Sequence, residues 1–333
     1  MSQVSHVEVK AEEDGWRFDR WAKAHYPTLA FGQLQKLCRT GQFRLDGKRI
    51  ESNARLAPGQ LIRVPPLGEL PAAPPKAGKR PLAPHDAALI RSLVVYQDER
   101  LIALNKPAGL AVQGGSGTTR HVDGLLEALT NKKGERPRLV HRLDRDTSGL
   151  MVVARTAAAA RELAFAFQQH KVRKLYWAIL LKGPERNLGL IDLPLAKAGP
   201  AGQEKMRHLD HDDDTDGSGR NARTRFMVLA RAGKVAAWTG LMPLTGRTHQ
   251  LRAHAALIGC PIIGDGKYGG KPAHPTGAPK GLMLHARELE LPAPGRGHLL
   301  LRADPPPHFK EGLRWLGLYD PELPGGSLDE WSD

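Results

Sequence analysis

The chain has 333 residues, 41% of them hydrophobic, which is enough to bury the cores of one large and one small domain. It carries 49 Lys and Arg against 35 Asp and Glu, a formal net charge of +14, and this excess favours a polyanionic partner such as nucleic acid. No apolar run is long enough to cross a membrane, and residues 1–6 lack a signal-peptide core, so the sequence predicts a cytoplasmic protein without membrane contact.

The cysteine and histidine spacings predict neither a disulfide framework nor a metal site. Cys38 and Cys260 are the only cysteines, and the sequence has no CxxC pair and no HExxH helix. His249 and His254 stand five residues apart, which does not place them on one helix face as i, i+4 ligands. There is also no GxxxxGK[ST] phosphate loop, so we expect chemistry without a metal or a cofactor.

The N-terminal part of the chain predicts a small basic module. Residues 1–12 are polar and are expected to be flexible. Two amphipathic helices follow, one starting near Trp16 and one over 31–41, and then three short strands at 43–45, 49–50 and 61–64. Between residues 31 and 64 seven cations oppose two acids. We therefore predict an RNA-contacting module over residues 13–64; a basic domain that only packs on its neighbour is the alternative.

A Pro-rich segment separates this module from the rest. Residues 65–86 contain seven prolines and few large apolar side chains, which is typical of a semi-rigid linker. Residues 87–322 alternate strand-like runs with fewer helices, among them predicted helices at 122–129 and 157–170, and residues 323–333 are a C-terminal tail. This pattern favours an α+β domain around a mostly antiparallel mixed sheet. The acidic run 210–219 lacks the rhythm of a calcium loop and predicts a surface loop.

The most informative stretch is the run 141–149, HRLDRDTSG, between the apolar runs 139–140 and 150–153. A charged turn closed by glycine between two short strands places polar side chains at the end of a sheet. Arg142 and Arg145 can keep the carboxylate of Asp144 ionised, as a nucleophile or general base requires. By itself the run could equally be a solvated, ion-paired turn.

Three other segments carry polar groups suited to a site. Tyr176 lies in an apolar strand beside Lys174, where a buried core tyrosine is the alternative. Gly246 opens a predicted helix that carries Arg and His, and a cationic helix start suits an anion, either a phosphate or the Asp144 carboxylate. The run 264–269, GDGKYG, is a tight turn that we expect at the rim of the site.

These motifs resemble two known families. The run 35–41, QKLCRTG, with 44–49, RLDGKR, and 56–60, LAPGQ, resembles the S4-type RNA-binding domain. The runs 141–149, 174–178 (KLYWA) and 246–252 (GRTHQLR) look like the three catalytic motifs of the RluA/RluC/RluD family of pseudouridine synthases, with further matches at 105–109, 264–269 and 284–286. The resemblance implies a pseudouridine synthase fold for the large domain, preceded by a small α/β S4-like domain.

The resemblance also implies roles for individual residues. Asp144 would be the catalytic aspartate, Tyr176 would pack against the target base, and Arg252 would pair with Asp144. Arg247 is the alternative for that pairing and otherwise binds RNA. Arg142 would occupy the space left by the flipped uridine. The S4-like module would contact RNA through five cations: Lys36, Arg39, Arg44, Lys48 and Arg49.

The chain is similar in particular to the RluC type, which acts on large-subunit ribosomal RNA. This implies ribosomal RNA as the partner, during ribosome assembly, and a monomer that needs no small-molecule cofactor. Two other functions fit the residues alone. One is a non-catalytic RNA-binding or ribosome-assembly factor, and the other is a metal-dependent nuclease built on Asp144, Asp146 and the acidic run.

Overall fold

A computed structural model describes residues 4–67, 82–114, 118–199, 205–208, 221–293, 295, 297–319 and 326–331. The chain divides into two compact units, Met1–Pro81 and Leu82–Asp333. The acidic run 210–219 and residues 68–81 of the predicted linker lie outside the described residues. Within the described ranges no helix combines the length and apolar character needed to span a bilayer.

The first unit packs two helices on a four-stranded antiparallel sheet. In chain order its elements are β1 (Ser5–Glu8), α1 (Phe18–His25), α2 (Phe31–Arg39), β2 (Arg44–Leu45), β3 (Lys48–Arg49) and β4 (Leu61–Val64). The strands lie in the order β1-β4-β2-β3. Asp46 and Gly47 both have positive φ angles, as the two-residue hairpin turn between β2 and β3 requires. Phe18, Trp21 and Phe43 are fully buried at the centre.

The expectation of a flexible segment over residues 1–12 is wrong for the part that the structure describes. Residues 5–8 form β1, which pairs antiparallel with β4 along its whole length. Val9 is buried, and the Glu13 carboxylate accepts hydrogen bonds from the Trp21 indole and the Lys10 amide. The strand is mostly exposed, so its side chains gave no apolar signal, and β4 supplies the backbone partners that order it.

The second unit is built on a ten-stranded sheet. Its helices are α3 (Pro84–Ser92), α4 (Val122–Leu125), α5 (Ala157–Gln168), α6 (Gln250–Leu257) and α7 (Pro307–Trp315). Its strands are β5 (Val94–Gln97), β6 (Leu101–Lys106), β7 (Arg138–Leu139), β8 (Ser148–Ala154), β9 (Arg173–Leu181), β10 (Leu188–Asp192), β11 (Leu195–Ala198), β12 (Lys205–His208), β13 (Arg223–Ala232), β14 (Ala236–Pro243), β15 (Leu284–Ala293) and β16 (Gly297–Arg302). Helix α3 begins at Pro84, two residues before the predicted end of the linker at residue 86.

The sheet order is β10-β13-β14-β9-β15-β8-β6-β5, with β16 paired to β15 and β7 paired to β8. Every pair is antiparallel except β15 with β8, which confirms the α+β class and the mostly antiparallel mixed sheet. Strands β11 and β12 form a separate hairpin. All seven residues of β8 are buried because neighbouring strands and the apolar core cover the strand completely.

The C-terminal residues 326–331 are not a free tail. Leu328 and Trp331 are buried in the core around β9 and β14. Arg173 donates to the backbone carbonyls of both residues at 2.9 Å, and Glu288 accepts from the Leu328 amide at 2.8 Å. The segment is therefore held against the face of β9 that carries Arg173.

Candidate active site

The loop between β7 and β8 carries Asp144 and leaves the sheet at one end. The two strands pair antiparallel, with Arg138 opposite Ala154 and Leu139 opposite Val153, so residues 140–147 form the connection that the sequence predicted. Gly149 closes the loop with φ +108°, and a Cβ there would lie 2.3 Å from the carbonyl oxygen of Ala286. Only glycine permits this approach of β15, which fixes where the loop ends.

Lys106 anchors the loop from the protein interior, a role that its place in the matching run 105–109 did not indicate. The side chain is fully buried, and Nζ donates to three backbone carbonyls, those of Pro107, Leu110 and Arg145, each at 2.9 Å. Burial lowers the pKa of Lys106 to about 8, against the opposing attraction of Asp146 and Asp144. The ammonium uses all three of its protons to tie the loop to the segment after β6.

His141 orients the other end of the loop. Its Nε2 accepts a hydrogen bond from the Val152 amide at 2.9 Å, and its ring stacks on Phe167 with centroids 4.4 Å apart. Burial, assisted by the charge of Lys174, lowers the pKa of His141 to about 3. The ring is therefore neutral at ordinary pH, because protonation would abolish the acceptor that Val152 needs.

The polar partners of Asp144 come from α6 and from His249, the residue before it, rather than from its sequence neighbours. Asp144 Oδ2 lies 3.6 Å from Arg252 Nη1, and Oδ1 lies 3.8 Å from His249 Nε2. The expectation that Arg142 and Arg145 hold this carboxylate is not met. Arg142 donates to the side chain of Gln113 at 3.3 Å, and Arg145 donates to the carbonyl of Gly109 at 3.1 Å.

Arg252 is fixed by a second carboxylate below the site. Its Nε and Nη2 donate to the two oxygens of Asp265, both at 2.8 Å, and the Asp265 side chain is completely buried. Although burial lowers the pKa of Arg252, the bonds to Asp265 raise it above its usual value overall. The turn 264–269 thus anchors Arg252 from inside, whereas we expected the turn at the rim. Since three donors remain, the guanidinium can reach toward Asp144 as well.

His249 is a site residue to which the sequence pattern gave no individual role, since it stood out only as one half of an unsuitable metal-ligand spacing and as part of a cationic helix start. It precedes α6 with φ +51°, and α6 starts four residues after Gly246, later than predicted. His249 Nδ1 lies 3.0 Å from the Tyr268 hydroxyl, which also accepts from the Met206 amide at 3.0 Å. A hydroxyl that accepts from Met206 can donate its own proton to Nδ1, and that arrangement puts the imidazole proton on Nε2, facing Asp144. Burial lowers the pKa of His249, which favours this neutral form.

Tyr176 lies on β9 and faces the same cavity as Asp144. Burial, reinforced by the charge of Asp144, raises the pKa of Tyr176 above its usual value. The phenol stays protonated at neutral pH, so it can pack against a ligand or donate a hydrogen bond but cannot act as a phenolate base. The alternative of a core tyrosine is partly correct, since the ring also packs against the hydrophobic core.

An open cavity of about 800 Å³ is lined by Asp144, Tyr176, His249 and Arg252, among other residues. Among its described lining residues, five are Lys or Arg and one is an acid, so the cavity favours an anionic ligand. The charged lining residues are Arg142, Asp144, Arg145, Lys174, Arg247 and Arg252. Arg247 donates to the carbonyl of Asn221 at 3.1 Å rather than to Asp144.

The five predicted RNA-binding cations of the first unit are all solvent-exposed. They lie on α2 and on the β2–β3 hairpin, and they are Lys36, Arg39, Arg44, Lys48 and Arg49. Arg44 donates to the carbonyls of Gly41 and Gly47. Throughout the described ranges no group of three or more His, Cys, Asp or Glu side chains is arranged to hold a metal ion.

Comparison with known proteins gives consistent matches. The family model described as RNA pseudouridylate synthase matches residues 100–257. A Rickettsia typhi protein named ribosomal large subunit pseudouridine synthase C is 35% identical over 282 residues, covering 83% of this chain and 89% of the relative. A Vibrio vulnificus protein of the same name is 30% identical over 298 residues, which cover 88% of this chain and 90% of that relative.

The fold has solved neighbours as well. The structure of human RNA pseudouridylate synthase domain containing 4 superposes with a TM-score of 0.58 at 30% identity, covering 72% of this chain and 99% of that one. The structure of human RNA pseudouridylate synthase domain containing 1 superposes with a TM-score of 0.52 at 26% identity, covering 64% of this chain and 83% of that one.

Proposed function

This chain belongs to the RNA pseudouridylate synthase family and is an isomerase, and we propose that it converts specific uridines of large-subunit ribosomal RNA to pseudouridine with Asp144 as the catalytic residue. The observation that carries the assignment of Asp144 is its position on the loop between β7 and β8, at an open cationic cavity, within 4 Å of the buried Arg252 guanidinium. A solvated turn would have no such partner from a distant helix.

The reaction is a rearrangement within one nucleotide and needs no other reactant. The bond between N1 of uracil and C1′ of ribose breaks, the base turns, and a bond forms between C5 and C1′. The C5 proton leaves and N1 gains one, so atoms and charge balance. The Asp144 carboxylate supplies the negative group that assists cleavage and re-formation of the bond, and Arg252 and His249 hold its two oxygens in place.

The cavity accommodates a base only after that base has left its helix. Unstacking and unpairing a uridine costs a few kcal/mol. Tyr176 offers a protonated aromatic surface for the flipped base, and Arg142, an exposed residue of the cavity lining, is the side chain we assign to the vacated space. The surplus of cations along the cavity supplies attraction to the RNA backbone that offsets the cost of flipping.

The substrate class is proposed from the names of the relatives, which are ribosomal large-subunit synthases. The exposed cations of the first unit support it, since a broad basic surface suits a large folded RNA. We further propose that the protein acts as a monomer in the cytoplasm while the subunit is being assembled and its RNA is still accessible.

The test is pseudouridine mapping of ribosomal RNA from a strain that lacks the gene. We expect one or more pseudouridines to be missing and to return with the wild-type gene but not with Asp144→Asn. Asp304→Asn is the matched control, because Asp304 is 83% exposed and lies outside the cavity lining. Full modification in the Asp144→Asn strain would refute the role of Asp144.

The same experiment separates the rival functions. A non-catalytic assembly factor predicts that no pseudouridine depends on the gene, although subunit assembly is impaired. A nuclease predicts that the purified protein shortens a ribosomal RNA transcript and that a chelator prevents it. Isomerisation leaves the length and mass of the transcript unchanged.

A further inference from the structure

Lys174 lies on the wall of the catalytic cavity with its side chain directed by the register of β9. Lys174 and Tyr176 are two residues apart on one strand, and both line the cavity. Side chains at i and i+2 share a strand face, and their Cα atoms are about 7 Å apart. On the other face, Arg173 binds the C-terminal segment and Leu175 is buried in the core. The strand cannot turn Lys174 away without losing those contacts.

Lys174 differs from the other cations of this cavity in having no polar partner in the part of the chain that the structure describes. The guanidinium groups of the four arginines are each bonded to a side chain or a carbonyl, with Arg142 on Gln113, Arg145 on Gly109, Arg247 on Asn221 and Arg252 on Asp265. For Lys174 no hydrogen bond or ion pair exists with any residue in the described ranges. Burial lowers the pKa of Lys174, and no carboxylate counteracts this effect.

A partly buried ammonium without a counter-ion destabilises a fold, because desolvation is not compensated. Lys106 shows the compensated arrangement in the same unit, with three carbonyl acceptors around its Nζ. An anion that arrives with the substrate would provide the missing compensation at Lys174. In an RNA substrate the uracil and ribose are neutral, and the phosphodiesters carry the charge.

We propose that Lys174 binds a phosphodiester of the RNA backbone next to the flipped uridine, and so positions that nucleotide between Tyr176 and Asp144. This inference rests on the proposed function, because it takes RNA as the substrate. It assigns Lys174 to binding and positioning rather than to bond cleavage. Its loss therefore raises KM for RNA and leaves the rate at saturating RNA largely intact.

The first experiment compares Lys174→Met and Lys174→Arg with the wild-type protein on a large-subunit ribosomal RNA transcript. A charge-assisted hydrogen bond contributes enough that we expect Lys174→Met to raise KM about tenfold or more at low salt, with kcat within about threefold of wild type. Its plot of log affinity against log salt should be shallower by about one unit. Lys174→Arg should restore most of the affinity. Lys234→Met, an exposed lysine at the β13–β14 turn, is the control for the same change of charge.

The second experiment identifies the phosphate. Short synthetic RNAs centred on the mapped uridine carry one uncharged methylphosphonate linkage at successive positions. At one linkage beside the uridine, the uncharged methylphosphonate should weaken RNA binding by the wild-type protein about tenfold or more. The same substitution should have little effect on RNA binding by Lys174→Met, which already lacks the cation. Equal losses for the two proteins at every linkage would overturn the proposal.

Two further results would also contradict it. If Lys174→Met behaves like Lys234→Met, or lowers kcat at saturating RNA without raising KM, Lys174 does not bind the backbone. A melting temperature of Lys174→Met clearly below that of the wild type would show that Lys174 has a compensating partner within the protein. Failure of the proposed function is a separate outcome, in which the wild-type protein forms no pseudouridine in any ribosomal RNA transcript.

Discussion

Asp265 is the residue whose replacement tests most directly how the site is held together. In Asp265→Asn the side chain keeps its shape, and one oxygen can still accept from Arg252 and from the amides of Lys267 and Tyr268. The amide nitrogen, however, faces Arg252 Nε, so a donor replaces an acceptor at a distance of 2.8 Å. The negative charge beneath the guanidinium is lost as well.

The expected cost follows from the burial of the pair. The side chains of Arg252 and Asp265 are 8% and 0% exposed, so solvent does not screen their interaction. Removing one partner of a buried ion pair costs about 3–5 kcal/mol of unfolding free energy. Because Arg252 then turns or moves away from Asp144, we also expect pseudouridine formation to slow by at least about tenfold, equivalent to about 1.4 kcal/mol lost from the ion pair that spans 3.6 Å.

Two measurements check this expectation. Urea unfolding gives the change in stability, and release of tritium from 5-tritiated uridine in the RNA gives the rate, since the C5 proton leaves in the reaction. Asp304→Asn is the control, because the Asp304 carboxylate is 83% exposed, so solvent screens its pair with Arg287 and the pair should contribute less than about 1 kcal/mol. In an Arg252→Met background, Asp265→Asn should be neutral or stabilising, as it removes an unpaired carboxylate. A loss below about 1 kcal/mol with an unchanged rate would refute the reasoning.

Three further predictions concern the loop and the residues around Asp144. The folded pKa of His141, about 3, lies below its unfolded value of 6.5, so the unfolded chain binds more protons between these values and stability falls as pH decreases from 6.5 toward 3. His141→Gln should flatten this part of a plot of unfolding free energy against pH, and an unchanged slope would contradict the neutral ring. Lys106→Met leaves three carbonyls without their donor and should cost about 2–4 kcal/mol in urea unfolding, whereas Lys234→Met should cost almost nothing. Tyr268→Phe removes the hydroxyl that orients His249 and should slow tritium release about three- to tenfold, from a loss of roughly 1 kcal/mol, with little change in KM; a wild-type rate would show that Tyr268 does not orient His249.

The secondary structure around the site was largely predictable, because its signals are local. The antiparallel pair β7 and β8, the helix α5 and the strand β9 follow from apolar periodicity and turn residues. The strand β1 and the buried C-terminal residues were not predictable in this way. Their order comes from partners at least 40 residues away, namely β4 for β1 and Arg173 and Glu288 for the C-terminal segment.

The ionic contacts of the site likewise depend on residues that are distant in sequence. Proximity in sequence suggested Arg142 and Arg145 as partners of Asp144, but a short loop directs successive side chains to different sides. The partner that the structure places beside Asp144 is Arg252, 108 positions later. Asp265 and the Tyr268–His249 contact link residues across the turn after α6, and no local pattern signals them.

From the sequence alone came the class of fold, the basic character, the family resemblance and the choice of Asp144, because these depend on composition, on periodicity and on motifs of consecutive residues. Only the tertiary structure decided which charges face each other. Ion pairing and burial depend on separations of a few ångströms between side chains from different elements, and those separations are set by how the strands of the sheet pair and how α6 packs against them.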